Sequence, residues 1–317
     1  MDWFYTFRDK DEWIVMGGSA LEHIKNDLRD PNAQRPSITL FIGNETKTAA
    51  QKSMFPANSF SVSSGEGVAR LYAESSTTDG VEPRLIGDIS VCSSSSGCNN
   101  SYRPPRDQPN LVHYRIEWPL AQSHGLSHDC VMNATLSQVV FMFVDVVCLF
   151  LDDFATQKDG LDFFERWIKP QGRFWKWKPK VIVVTNREPV PNIEEARQVT
   201  LIAKPSNTSI YRSLQKSILH DLNIVRRDRN ACRMAFSATH LVAFFELALR
   251  HISKSVIEKF DFIHASRQFN EIDERFESHL TNFLRLCFKN SASNQFSIRY
   301  IASAMVMDSF PPGMHRK

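Results

Sequence analysis

The sequence predicts an α/β protein: a mostly parallel sheet with flanking helices, of degenerate P-loop or G-domain-like type, followed by an all-α helical domain. Three observations carry this. A β-branched and aromatic run from Val139 to Leu151 reads as a strand and stops at Asp152-Asp153. Leu161, Phe164, Trp167 and Ile168 then recur at helical spacing, and Val181 to Thr185 is a second short apolar run. Strand, helix and strand within roughly 50 residues make a parallel βαβ unit, whose crossover is nearly always right-handed. Ligands of such sheets sit beyond the carboxyl ends of the strands, here Asp152-Asp153 and Asn186-Arg187-Glu188.

A matching front end lies upstream. Ser37 to Ile42 reads as a strand and runs into Gly43-Asn44-Glu45-Thr46-Lys47-Thr48, followed by helix-compatible Ala49 to Phe55. Strand, glycine, then Lys-Thr opening a helix is the layout of a phosphate-binding loop. Backbone amides and the helix amino end supply positive potential there, and lysine adds a point charge. The working motif, G-x-x-x-x-G-K-[ST], has a second glycine and a longer loop. Gly43 and Lys47 are separated by only three residues, two fewer than the motif requires. Pro83 to Asp88 offers an acidic strand end that suits magnesium, but no glycine stands at Val91. A guanine-reading Asn-Lys-x-Asp would fall on Asn186, Arg187, Glu188 and Pro189, and proline cannot replace the carboxylate. The candidate nucleotide site is therefore Gly43, Lys47, Thr48, Asp88 and Asn186, in the right order and vestigial throughout. The plainer reading is an α/β sheet whose polar strand ends only cap helices.

The rest of the chain is organised around that sheet. Residues 1–35 form a lead-in with one helical candidate, Ala20 to Leu28. Residues 36–205 form the α/β domain, with an insert around 90–128. Its Ser93-to-Ser101 and Arg103-to-Pro109 stretches lack the apolar content to order themselves, which predicts mobility. Lys204-Pro205-Ser206-Asn207-Thr208 reads as a linker. Residues 206–317 form the helical domain. Ser237 caps a helix through Ser255, with Leu241, Phe244, Phe245, Ala248 and Ile252 on one face. Ile272 to Phe288 and Ile298 to Met307 are two further apolar helices.

The composition of the 317 residues fits a cytoplasmic protein. Hydrophobic residues make up 42%, and 23 phenylalanines supply a core. A net charge of +3 is too small to argue for a nucleic-acid partner, and none is expected. Met1-Asp2-Trp3-Phe4-Tyr5 leads into charged residues without an apolar signal core. The longest apolar run, Val139 to Leu151, is interrupted by Asp145 and is too short to span a bilayer. The six cysteines contain no Cys-x-x-Cys pair, and Cys148 and Cys287 fall on apolar faces. The sequence therefore predicts no metal site, no cofactor and free thiols.

Several blocks resemble the amino-terminal region of large fungal patatin-like phospholipase proteins. They are Phe143-Val-Asp-Val-Val-Cys-Leu-Phe-Leu-Asp-Asp-Phe154, Leu161 to Trp167, Phe236 to Phe245, Phe260 to Arg267, His279 to Leu284, Ile301 to Ala304 and Phe310-Pro-Pro-Gly-Met-His315. The likeness extends from about residue 30 onward. In that family these blocks precede the catalytic patatin domain, so the resemblance implies a protein partner or a missing carboxyl-terminal patatin domain. It also implies a link to lipid metabolism.

The acyl-hydrolase chemistry itself needs a serine on a Gly-x-Ser-x-Gly elbow and, in that family, an Asp-Gly-Gly or Asp-Gly-Ala motif. The nearest elbow, Gly17-Gly18-Ser19-Ala20-Leu21, is broken at Leu21, with no buried strand predicted before it. Asp79-Gly80-Val81 and Asp159-Gly160-Leu161 fail the second motif and read as turn tips. No catalytic residue is assigned. Ser237 and His240 read as a helix cap and a helix residue rather than a dyad. Arg173-Phe-Trp-Lys-Trp-Lys-Pro-Lys180 interleaves cations and aromatics, a pattern that suits a membrane interface or a single-stranded nucleic acid, but it reads first as a solvated loop before a buried strand with its Trp rings folded onto the domain. The reading is a non-catalytic regulatory or interaction region. Its alternatives are a GTPase-like nucleotide-binding domain and a membrane-recruitment module.

Overall fold

The computed structural model describes residues 1–9, 12–60, 67–91, 112–118, 128–168, 179–187, 196–200, 211–232, 234–262, 265 and 275–308. Among them, nine strands form one sheet: β1 (Asp2–Asp9), β2 (Glu12–Gly17), β3 (Ser37–Ile42), β4 (Val68–Ala73), β5 (Arg84–Ile89), β6 (His113–Arg115), β7 (Val146–Phe150), β8 (Lys180–Thr185) and β9 (Ala196–Thr200). Their order is β6-β2-β1-β4-β5-β3-β7-β8-β9.

The protein is α/β, but the sheet is mixed rather than mostly parallel. β5, β3, β7, β8 and β9 run parallel. β4, β1, β2 and β6 add on by antiparallel pairings. The antiparallel half comes largely from the first 17 residues, where the sequence predicts no strand. Trp3, Phe4 and Tyr5 are consecutive and all buried, so β1 is covered on both faces and lacks the alternation that marks a half-buried strand.

The apolar run at the centre of the chain also divides. α3 (His128–Thr135) continues through a π-helical turn, Leu136–Val140, into α4 (Phe141–Phe143), and only Val146–Phe150 is strand. Asp145 sits at the break. Its carboxylate accepts the Ile38 N–H at 2.7 Å and pairs with Arg229 Nε at 2.6 Å. Arg229 also donates to the carbonyls of Met142 and Val144. Burial pushes the Asp145 carboxyl up, and the Arg229 guanidinium and Ile38 amide oppose it. A buried carboxylate is tolerated only with such partners.

Helices cover both faces. α2 (Glu45–Met54) and α6 (Arg212–Ala231) bury Ala50, Met54, Leu214, Ile218 and Leu222 against Phe41, Phe150 and Ile182. α7 (Ala238–Lys254) brings Phe245 onto Trp3, with rings stacked at 5.2 Å, and against Phe143. α1 (Ala20–Asp27) packs beside α7. The predicted caps hold locally: Ser237 Oγ accepts the His240 N–H, and α7 ends at Ser255. α5 (Gln157–Phe163) opens with a reciprocal Thr156–Asp159 capping box and continues as a π-helical turn, Phe164–Ile168. Asp159-Gly160 is thus the first turn of a helix rather than a turn tip, whereas Gly80 does close a turn on Thr77.

The chain divides into two compact units, Met1–Glu258 and Lys259–Lys317. α6 and α7 belong to the sheet unit, so the boundary predicted at 205/206 falls inside it. The second unit contains α8 (Phe276–Lys289) and α9 (Asn294–Asp308). They are joined through Ser291, which adopts a left-handed φ of 51°. Phe283 stacks on Tyr300 at 4.9 Å. Cys287 is the buried residue of α8, while Leu286, Phe288, Phe296, Ile298 and Tyr300 are exposed. No helix among the described residues is long and apolar enough to cross a membrane.

Most of the 90–128 insert, the 204–208 linker, Arg173 to Lys178, Glu188, Pro189, Cys92, Cys98, His124 and Phe310 to His315 lie outside the described residues.

Candidate functional site

The parallel strands β5, β3 and β7 end side by side, and the loop after β3 joins those ends. Gly43 leaves β3 with φ 155°, and a Cβ there would come within 2.5 Å of Asp153 Oδ2 and 2.9 Å of the Phe150 Cβ. Only glycine admits that approach. α2 begins two residues later, with its free amino-end N–H groups facing the end of β7.

The anion facing those groups is the protein's own. Asp153 Oδ2 accepts the Asn44 N–H at 2.6 Å and the Lys47 N–H at 2.9 Å, and Asp153 Oδ1 accepts the Thr46 N–H at 2.9 Å. The helix dipole and the unsatisfied amides both favour a negative charge at this point. Asp153 belongs to the single 3-10 turn, Leu151–Asp153, that follows β7. β7 pairs directly with β3, and this delivers the carboxylate to the loop.

The Lys47 side chain points the other way. Its ammonium is buried, lies 2.5 Å from Asp88 Oδ1 and donates to the Ile89 carbonyl at 3.0 Å. Both side chains are about 1% exposed. Burial pulls Lys47 below the ordinary lysine range, and the Asp88 carboxylate opposes that shift. Thr48 Oγ1 donates back to the Asn44 carbonyl at 2.7 Å. Asn44 fastens the segment after β5: its Nδ2 donates to the Val91 carbonyl and its Oδ1 accepts the Val91 N–H.

Four of the five predicted site residues, Gly43, Lys47, Thr48 and Asp88, thus gather at one place. Asn186 stands at the next strand end. It is exposed, and its backbone N–H donates to Asp152 Oδ2 at 2.5 Å. Arg187 Nε approaches the other Asp152 oxygen at 3.4 Å. The two adjacent aspartates therefore serve two neighbouring strand ends. Sequence reasoning took Asp152-Asp153 as a place for an external ligand and missed that Asp153 is itself the ligand. The available signal was a carboxylate pair closing a buried strand next to a helix amino end.

A cavity of about 130 Å³ lies beside the loop, lined by Ile42, Ile89, Ser90, His128 and Phe154 among others. That is below the ~300 Å³ at which small-molecule sites usually begin. No group of three or more His, Cys, Asp or Glu among the described residues is placed to hold a metal ion.

The two serine constellations are also placed. A strand, β2, does lead into Gly17-Gly18-Ser19, contrary to the sequence expectation, and α1 follows. Ser19 nevertheless adopts ordinary helical angles, φ −81° and ψ −6°, not a strained elbow. Ser237 Oγ lies 2.7 Å from His240 Nδ1 in a buried helix cap, and burial pulls His240 down to about 4.

No family model, no curated protein and no solved structure matches this chain.

Proposed function

We propose that this chain is a non-catalytic regulatory or interaction region, built on a degenerate G-domain-like scaffold whose phosphate seat is filled from within. The carrying observation is the Asp153 carboxylate on the amides of Asn44, Thr46 and Lys47. The strand order supports the scaffold: within the sheet, β4-β5-β3-β7-β8-β9 is a run in which only β4 opposes the others. The loop stands after β3 and the acidic residue on β5, as such a scaffold requires.

An incoming phosphate would meet a resident carboxylate of like charge where it needs N–H donors. It would also lack the lysine. Freeing the Lys47 ammonium would leave Asp88 buried without its partner, a loss on the order of 3–5 kcal/mol. Thr48 spends its hydroxyl on its own helix. These costs together make GTP or ATP a poor competitor. The link to lipid metabolism rests on the resemblance to fungal patatin-like phospholipase proteins alone.

Calorimetry with GTP and with ATP in the presence of magnesium tests the reading. The expected result is no measurable binding. A low-micromolar dissociation constant for either nucleotide would overturn it in favour of the GTPase-like alternative.

A further inference from the structure

The cavity of about 130 Å³ beside the loop stands where an α/β sheet holds a ligand. Ile42 ends β3 and Ile89 ends β5, and both line it. β3 has parallel neighbours on both sides, β5 and β7. Open sheets of this kind bind ligands beyond the carboxyl ends of the strands where the order turns back. Two π-helical turns also meet here. Leu136 opens the first and lines the cavity. Phe163, also in the wall, directly precedes the second, and the two turns touch. Such turns are rare and occur frequently at functional sites.

The walls define the occupant. Phe154 and Phe163 stand 5.7 Å apart with their rings inclined at 51°. None of the described lining residues is Asp, Glu, Lys or Arg, so a charged guest would lose its hydration without a partner. His128 is fixed in the wall: its Nε2 donates to the Thr6 carbonyl at 3.1 Å, and a Cβ on Gly67 would come within 2.5 Å of that nitrogen. Half-buried Asn133 lines the cavity as well, and its carboxamide makes no hydrogen bond among the described residues. The volume is close to the ~150 Å³ of an engineered apolar cavity that takes benzene.

We propose that this cavity is a binding site for a small uncharged aromatic molecule, one ring bearing a hydroxyl. The ring packs against Phe154, Phe163 and Leu136, in the edge-to-face or offset arrangements that aromatic pairs prefer. The hydroxyl bonds the Asn133 carboxamide, which can both donate and accept. A nucleotide exceeds the volume, and an acidic ligand finds no cation in the described wall. The site uses neither Asp153 nor Lys47, so its failure would leave the proposed function untouched.

The test is titration of the full chain with phenol, and with benzoate as its charged counterpart. Saturable phenol binding on the order of a millimolar is expected, as suits a ligand of so few atoms, with a rise in melting temperature by mass action. Benzoate should bind more weakly by roughly tenfold or more, lacking any compensation for its charge. In protein labelled at its methionine methyls, the phenol ring protons should give nuclear Overhauser effects to Met132, which lies in the wall. Val91→Phe, which fills the cavity from its half-buried rim, should abolish binding. Asn133→Leu should weaken it by about fivefold, the loss of one hydrogen bond. Val81→Phe, at a 73% exposed site of the same unit, should bind phenol as the parent does. Circular dichroism of each variant should match the parent, and the Overhauser contacts of the parent decide if Val91→Phe does not fold. The proposal is overturned by phenol binding that does not saturate, by benzoate binding as tightly as phenol, or by no Overhauser effect at Met132. It is equally overturned by a folded Val91→Phe that binds phenol like the parent.

Discussion

Asp153 accepts the backbone N–H of Lys47 at 2.9 Å while the Lys47 ammonium turns away from it to Asp88. One residue is thus held by two carboxylates, one at each end. The backbone contact fixes the start of α2 against β7, and the side-chain contact fixes it against β5. The loop that a nucleotide would have to open instead ties three adjacent strand ends together.

The first expectation follows from the buried pair. Lys47→Met should destabilise the protein by about 3–5 kcal/mol, because it leaves the buried Asp88 without its ion-pair partner. Lys47→Met/Asp88→Leu should recover most of that loss, since two apolar groups leave no charge to desolvate. Urea unfolding of the parent and the variants gives the cycle. A double variant as unstable as the single one would show that the pair contributes shape rather than charge compensation.

This pair also shows how far the sequence could be read. Lys47 and Asp88 were legible as members of one candidate site, because the phosphate-type loop and the acidic residue each follow a short apolar run, but not as an ion pair. The parallel strands around them were legible for the same reason. The direction of the Lys47 side chain was not, since it depends on Asp153 arriving from a strand more than a hundred residues away. The break at Asp145 was hidden too, because its partner Arg229 lies on α6. β1 was missed for a local reason: the Trp3-Phe4-Tyr5 run has neither a helical nor a two-residue period. α7 was rightly read as a helix and α6 went unnamed within the helical stretch, and both were assigned to a separate domain. Helical periodicity identifies an apolar face and is silent about what covers it.

His240 carries a pH expectation. Burial pulls its imidazole from the ordinary 6.5 to about 4, so between those values the unfolded chain binds more protons than the folded one. Its contribution to stability is complete above about pH 6.5 and is lost as the pH falls toward 4. Urea midpoints measured from pH 7 to pH 5 should therefore fall in the parent and fall less in His240→Gln. Parallel curves would assign the slope to other groups.

The last expectation concerns the anion seat. Asp153→Ala removes the acceptor shared by the Asn44, Thr46 and Lys47 amides but leaves the amides aligned by α2 and by Asn44's grip on Val91. Asp153 is only partly buried, so water can replace the carboxylate, and the loss should be modest, on the order of 1–2 kcal/mol. The vacated position still has the helix amino end and converging N–H groups, which is what an inorganic anion needs. Phosphate or sulfate at millimolar concentration should therefore raise the melting temperature of Asp153→Ala, by the mass-action stabilisation that any folded-state ligand gives, and should leave the parent unchanged. Asp153→Asn retains one acceptor oxygen, so it should lose less stability and respond less. Chloride at matched ionic strength controls for screening. If parent and Asp153→Ala respond alike, the carboxylate is not occupying the seat, and the self-filled loop on which the non-nucleotide reading depends has to be abandoned.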